Sequence, residues 1–100
     1  MKLSDLAQVI RSKNAGPRRL TLDVMFGSDA DYQRVVQSPA LGAETIGRLY
    51  HVPPEAVTIL PYPMGRAIKI VLARRIMAGD PGDSDVYGAQ QHAPLLGIEI

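Results

Sequence analysis

The stretch that decides the fold is residues 20–26, with the sequence LTLDVMF. Its apolar side chains Leu20, Leu22, Val24 and Phe26 occur at every second position, and more polar or flexible residues fill the positions between them. A period of two places alternate side chains on opposite faces of a β-strand. The pattern therefore predicts a half-buried strand, and it is the clearest such pattern in the chain.

Two helices are predicted after this strand. Ser28 and Asp31 have the spacing of a capping box at the start of a first helix, and the Ser38–Pro39 pair ends it. A second, shorter helix is predicted before the prolines at 53 and 54. The apolar side chains expected to pack on the core are Tyr32, Val35 and Val36 in the first helix, and Leu41, Ile46, Leu49 and Tyr50 in the second.

The rest of the ordered pattern consists of strands. Residues 57–60 and 67–72 are apolar and rich in β-branched side chains, and the proline-containing stretch 61–65 joins them. Within the later run, Lys69 is expected to point away from the core and face solvent. The tail, residues 95–100, predicts one more strand, with Leu96, Ile98 and Ile100 on one face. Together these elements predict an α+β fold with helices on one face of a mainly antiparallel sheet.

The amino-terminal pattern is ambiguous when the residues are taken alone. Leu3, Leu6, Ala7 and Ile10 fit the spacing of one helix face better than the alternation of a strand. Residues 11–17 then contain an asparagine, a glycine and a proline, which together predict a loop.

Length and composition predict one globular domain over residues 1–100. The apolar fraction of 46% and the charged fraction of 21% argue against disorder. The formal net charge is +1, and the local basic cluster Arg11, Lys13, Arg18 and Arg19 is too small for a nucleic-acid interface. We therefore expect no nucleic-acid partner.

The same composition limits the chemistry and the location. There is no cysteine, which excludes a disulfide framework, a thiolate nucleophile and cysteine-ligated zinc. No apolar run approaches the roughly 20 residues of a membrane span, and the first residues are too polar for a signal peptide. A cytoplasmic protein without membrane contact is the expectation.

A polar loop near the end of the chain, residues 79–92, is the candidate site. It carries three carboxylates, two amides, a phenol and an imidazole, and glycine and proline residues punctuate it. A loop that only connects two elements does not need so many groups that accept, donate or exchange protons. The side chains concerned are Asp80, Asp83, Asp85, Tyr87, Gln90, Gln91 and His92.

Roles within this loop follow from the side-chain types. His92 is predicted to transfer a proton, because imidazole exchanges protons near neutral pH. Asp83 or Asp85 would act with it as a general acid or base, since neighbouring carboxylates in a partly buried loop repel one another. Asp80, Tyr87, Gln90 and Gln91 are predicted to bind ligand. The alternative is that these residues form turns or cap a following helix, and that the ring of His92 is simply hydrogen-bonded beneath the tail.

A second polar segment, residues 11–16, is predicted to bind an anion and to form one polar site together with residues 80–92. Arg11, Ser12 and Asn14 offer a guanidinium, a hydroxyl and an amide for a carboxylate or phosphate, although a solvated turn that binds nothing has the same composition. A calcium or magnesium ion on the Asp-rich loop is disfavoured, because the ligand spacing of an EF-hand is absent. We expect no metal and no other cofactor.

Three segments together resemble a known family. They are residues 3–7 (LSDLA), residues 11–17 (RSKNAGP) and residues 79–96 (GDPGDSDVYGAQQHAPLL). The chain resembles a family of short bacterial proteins of unknown function, commonly encoded beside proteins similar to the acyclic-terpene-utilisation protein AtuA. It is also similar, more distantly, to the ferredoxin-fold domain that ends many AtuA-like proteins.

The resemblance implies a ferredoxin-like fold and makes residues 2–10 a strand, which replaces the helix favoured by periodicity. It also implies a small subunit or accessory domain of an AtuA-like complex in organic-acid or acyl-CoA catabolism. The partner would be the AtuA-like large protein encoded nearby, in a homo- or hetero-oligomer. The fused domains carry Gly-Asp-Lys where this chain has Lys13-Asn14-Ala15. The alternative function is a non-catalytic assembly or ligand-binding module.

Overall fold

The half-buried strand expected at residues 20–26 forms one of the two central strands of a four-stranded antiparallel sheet. The structure is a computed structural model that describes residues 1–15, 19–73 and 92–100. The sheet order is β1-β2-β4-β3. In chain order, the strands are β1 (Val9–Asn14), β2 (Arg19–Met25), β3 (Thr58–Tyr62) and β4 (Ala67–Ala73).

The core lies on one face of this sheet. Leu20, Leu22 and Val24 are at most 1% exposed, and each is paired across β2 and β4 with another buried apolar residue. The alternation in the sequence therefore predicts this face correctly. The β4 partners are Leu72, Ile70 and Ile68.

Two helices from the connection between β2 and β3 cover that face. They are α2 (Asp29–Val36) and α3 (Ala43–Tyr50), and their buried side chains belong to the same core cluster as the inward residues of the strands. Strand β4 lies between β2 and β3, so the sheet contains a split βαβ arrangement. The predicted α+β class, with a ferredoxin-like antiparallel sheet and helices on one face, is confirmed.

The start of α2 is the capped terminus that the sequence predicts. The Oγ of Ser28 accepts a hydrogen bond from the backbone N–H of Asp31 at 3.2 Å, and this satisfies one of the donors that a helix leaves unpaired in its first turn. Tyr32 and Val35 are buried as expected, but Val36 is 40% exposed and does not belong to the apolar face.

An arginine for which the sequence predicts no role links helix α2 to the sheet. Nε of Arg66 donates to Oδ1 of Asp29 at 2.8 Å, and Nη1 donates to the carbonyl of Gly27 at 3.1 Å. Arg66 follows a 3₁₀ turn between β3 and β4, in the left-handed conformation with φ 48°. The contact fixes the start of α2 against the end of the β3–β4 hairpin.

The first residues differ from both sequence-based expectations. A one-turn helix, α1 (Leu3–Leu6), buries Leu3 and Leu6, and β1 begins only at Val9. The strand that the resemblance implies at residues 2–10 is therefore wrong over its first part. The helix spacing of Leu3 and Leu6 is correct there, although it does not extend to Ile10.

The loop predicted from Arg11 is also wrong, because β1 continues to Asn14. Its residues pair in register with β2, from Val9 opposite Met25 to Asn14 opposite Leu20. These backbone hydrogen bonds outweigh the local turn preference of serine and asparagine. The chain leaves the ladder at Ala15, whose N–H donates to the carbonyl of Arg19 at 3.0 Å.

The carboxyl-terminal strand predicted at residues 95–100 is not formed. Residues Ala93–Leu95 make a 3₁₀ turn, and a single β-bridge joins Lys2 to Glu99. The tail instead packs against the start of the chain, where the N–H of Leu3 donates to the carbonyl of Ile98 at 2.8 Å. Burial of Leu95 and Ile98 uses the apolar residues of the tail without adding a strand. Within the described residues, none of the helices has the length and apolar character needed to cross a membrane.

Gly47 provides a direct test of the packing around α3. A Cβ at this position would lie 2.7 Å from the carbonyl oxygen of Val52, whereas a Cβ at Gly65 would meet nothing within 4 Å. We expect Gly47→Ala to lower the free energy of unfolding by about 1–3 kcal/mol, because backbone must move to admit the methyl group. Chemical denaturation measures the change. Gly65→Ala is the matched control, and an equal effect of the two substitutions would contradict this packing.

Candidate functional site

Most of the Asp-rich loop lies outside the described residues. Asp80, Asp83, Asp85, Tyr87, Gln90 and Gln91 belong to that part of the chain, and their assignment to a site stays a prediction. His92 is described. It is half-buried, and its carbonyl accepts a hydrogen bond from the N–H of Leu95 at 2.9 Å, which starts the turn leading into the packed tail.

The residues of the second polar segment are split by the strand that carries them. Because side chains alternate along β1, Arg11 lies on one face of the sheet, and Ser12 and Asn14 lie on the core side. Ser12 is only 7% exposed, whereas the Arg11 side chain is 61% exposed. The structure therefore does not bring these three side chains together as one cradle.

The face that bears Arg11 is the side of the sheet opposite the core, and we call it the open face. None of the described helices covers it. Strand pairing arranges its side chains in rows that cross the sheet, each contributed by β1, β2, β4 and β3 in turn. The rows are Val9, Met25, Ala67 and Tyr62; then Arg11, Asp23, Lys69 and Leu60; then Lys13, Thr21, Val71 and Thr58.

One end of the open face is apolar. Val9 is 40% exposed and Tyr62 is 49% exposed in the first row, and Leu60, next to them on β3, is 38% exposed. We call these three residues, together with the half-buried Met25 and Ala67 between them, the apolar end. Large side chains exposed in contiguous positions on a sheet are typical of a surface that contacts another molecule.

The other end is cationic. Nε of Arg11 lies 3.4 Å from Oδ2 of Asp23, so this pair is neutral overall. Lys13 and Lys69 lie next to it and Arg19 lies further along β2 on the same face; among the described residues, none of the three has an ion-pair partner. We call these three residues the cationic end.

A hollow of about 390 Å³ lies beside the cationic end. It is located where β4 ends, and Arg19 of β2 and Thr58 of β3 contribute to its wall. A guanidinium and a hydroxyl at the edge of a hollow can bind a carboxylate or phosphate oxygen. The lining residues are Arg19, Ala56, Thr58, Val71, Leu72 and Ala73.

The family of the chain can now be stated. A family model described as a domain of unknown function (DUF4387) matches residues 3–99. The chain belongs to the DUF4387 family. No curated protein and no solved structure matches it.

A larger concavity of this DUF4387 domain lies on the helix side. It measures about 520 Å³ and lies between α3 and the carboxyl-terminal tail. Most of its wall is apolar. Arg48 and Glu99 are its charged residues, and the carboxylate of Glu99 is already 3.4 Å from the terminal amine of Met1. Within the part of the chain that the structure describes, this concavity offers one cation without an ion pair, Arg48, and the open face offers three.

Two buried tyrosines of the DUF4387 domain lie in the core and not at either hollow. Burial raises the pKa of Tyr50 above the ordinary value for a phenol, so this side chain stays protonated at physiological pH. The hydroxyl of Tyr32 is buried and has no hydrogen-bond partner among residues 1–15, 19–73 and 92–100. Neither side chain lines a hollow given above. In the described part of the chain, no group of three or more acidic or histidine side chains is arranged to hold a metal ion.

Sequence reasoning missed the cationic end. It placed Lys13 and Arg19 in a basic cluster and treated Lys69 as an ordinary solvent-facing lysine. The signal was present in the alternation of the strands, since each of these residues occupies an outward position. The alternation within one strand does not give the register between strands. It is this register that places residues 13, 19 and 69 on three neighbouring strands of the same face.

Proposed function

We propose that this DUF4387 protein is a small subunit or accessory domain of an AtuA-like complex in organic-acid or acyl-CoA catabolism, and that the open face of its sheet docks on the larger protein. The motifs at residues 3–7, 11–17 and 79–96 support the choice of partner. The observation that carries the docking surface is the exposure of Val9, Leu60 and Tyr62 together on a face that no described helix covers.

Burial of the apolar end would supply the driving force. Removing apolar surface from water contributes roughly 25 cal/mol per Å², and aromatic side chains such as Tyr62 are frequent anchors of protein interfaces. The outer edge of β3 is a poor alternative, because Pro61 has no N–H to donate to an added strand. The face of the sheet is therefore the better docking surface than that edge.

The cationic end would select the partner. Lys13, Arg19 and Lys69 favour an acidic surface opposite them, and the open face of a second copy would present the same positive charges. Like charges meeting across an interface oppose association. This favours a complex with a different protein over a dimer formed through the two open faces.

The polar loop would supply the chemistry of the complex. In this proposal His92, with Asp83 or Asp85, transfers a proton, and Arg11 binds the anionic end of the substrate. The exposed Arg11 guanidinium, oriented by Asp23, supports the second role. The polar density of residues 79–92 supports the first.

Two substitutions on the apolar end test the docking. We expect the double variant Leu60→Asp, Tyr62→Asp to weaken the complex with the AtuA-like protein encoded nearby by about tenfold or more, because buried carboxylates replace two apolar anchors. Size-exclusion chromatography and calorimetry of the co-expressed pair measure the change.

Met64→Asp is the matched control for this test. Met64 is fully exposed at 101%, but it lies in the turn between β3 and β4 and not on the open face. Undiminished affinity of the double variant would contradict docking through this face. Failure of the unaltered pair to associate would contradict the choice of partner and favour the independent assembly or ligand-binding module.

A substitution of the imidazole tests the chemical role. We expect His92→Ala in the purified complex to lower acyl-CoA or organic-acid turnover by about 100-fold or more, the typical contribution of a proton-transfer group. Mass spectrometry of the reaction mixture measures the turnover.

His51→Asn is the matched control for the loss of an imidazole. His51 is exposed at the end of α3 with φ 59°, a conformation that asparagine tolerates. Equal turnover of the His92 variant and the unaltered complex would remove His92 from the mechanism.

A further inference from the structure

We propose that the cationic end of the open face is a binding site for a small oxyanion that carries two or more negative charges, such as a phosphorylated or polycarboxylated metabolite. Arg19, which lines the hollow, would contact the anion from its wall, and Lys13 and Lys69 would reach the anion from β1 and β4. The site belongs to the isolated chain, so the inference does not depend on the AtuA-like partner.

Strand register brings the three cations together. Lys13 of β1 lies opposite Thr21 of β2, and Arg19 precedes Thr21 by two residues on the same face. Lys69 precedes Val71 by two residues, and Val71 is the partner of Thr21 on β4. The three cations are therefore arranged around Thr21, whose own side chain is only 3% exposed. Lys13 is directly opposite Thr21, and Arg19 and Lys69 are each about 7–8 Å from it at the backbone, on opposite sides, so Arg19 and Lys69 are roughly 13 Å apart along the strands. Extended lysine and arginine side chains can reach a common point between them.

Asp23 separates this site from the Arg11 guanidinium. Its carboxylate is only 15% exposed and lies 3.4 Å from Nε of Arg11, so it offsets the charge of Arg11. Lys69 lies directly opposite Asp23 on β4, but no ion pair joins the two side chains. Of the four cations on the face, Lys13, Arg19 and Lys69 are thus left without a counter-charge in the described structure.

Like charges held close on adjacent strands repel one another and destabilise the folded chain. A bound oxyanion would remove this repulsion, so it should stabilise the fold more than a monovalent anion does. Arg19 can bind two oxygens of one phosphate or carboxylate group, and Thr58 offers a hydroxyl from the opposite wall of the hollow.

The size and composition of the site limit the ligand. Three cations are too few for a nucleic-acid backbone, and the exposed aromatic ring of this face, Tyr62, belongs to the apolar end, one row from Lys69 and two rows from Lys13. The hollow of about 390 Å³ fits a compact metabolite. The chemistry shared by the candidate ligands is a dense negative charge on oxygen atoms.

Anion binding to the isolated chain tests the proposal. We expect sodium pyrophosphate to raise the Tm above that in sodium chloride of equal ionic strength, and isothermal titration calorimetry to give a saturable one-to-one complex. Trisodium citrate forms the second arm of the experiment. A preference for pyrophosphate assigns the site to phosphorylated ligands, and a preference for citrate assigns it to polycarboxylates.

Charge-neutral variants identify the site. Arg19→Gln and the pair Lys13→Gln, Lys69→Gln should each weaken anion binding by about tenfold or more and should raise the Tm in the absence of the anion, since repulsion is relieved. A loss of folding alone would not raise that Tm. Arg48→Gln is the matched control, because Arg48 is also exposed and unpaired but lies on α3.

Two results would overturn the proposal. One is an equal effect of pyrophosphate, citrate and chloride on the Tm of the unaltered chain. The other is an equal loss of binding in the Arg48→Gln control, which would show an adventitious, non-localised effect of net charge. Heteronuclear NMR spectra of each variant confirm that it is folded, and shifts of the Lys13, Arg19 and Lys69 amides in the unaltered chain locate the anion without any substitution.

Discussion

The structure depends on the pairing of β2 with a strand on each side. Its backbone is bonded to β1 on one edge and to β4 on the other, and its side chains alternate between the two faces. The side chains of Leu20, Leu22 and Val24 point to the core face and are almost completely buried there. A slip of one residue would expose these side chains and bury Asp23, so the register is strongly fixed. That register also determines which side chains lie on the open face and which of them are neighbours.

The two faces of the sheet have divided roles. The core face binds α2, α3 and the tail and supplies stability through apolar burial. The open face carries exposed apolar residues at one end and unpaired cations at the other, neither of which stabilises the isolated chain. Like charges on one face oppose stability and apolar groups left exposed add none, and we propose that both contact another molecule. The proposed docking uses the whole of this surface, and the proposed anion site uses its cationic end, where Lys69 lies directly opposite Leu60 of the apolar end.

The sequence alone was sufficient to predict some of the individual helices and strands. The alternation of residues 20–26 and the serine cap of α2 each have a local physical cause, and each appears where expected. The wrong predictions concern segments whose structure depends on residues that are distant in the sequence. The composition of residues 11–14 predicts a loop, but pairing with β2 makes them a strand. The pattern of the apolar tail predicts a strand, but the tail packs against α1 instead. The same limit hid the cationic end, since Lys13 and Lys69 are far apart in sequence and meet only through β2.

Thiol labelling tests most directly whether the open face is the working surface. The chain has no cysteine, so single cysteines can be placed at Val9 and Leu60 on the open face, and at Val36 and Leu96 outside it. The native residues are matched in exposure, at 40% for the two valines and 38% for the two leucines. We predict that all four sites react with a maleimide in the isolated chain, and that the proposed AtuA-like partner protects positions 9 and 60 alone. Protection of positions 36 and 96, with positions 9 and 60 still reactive, would contradict the account.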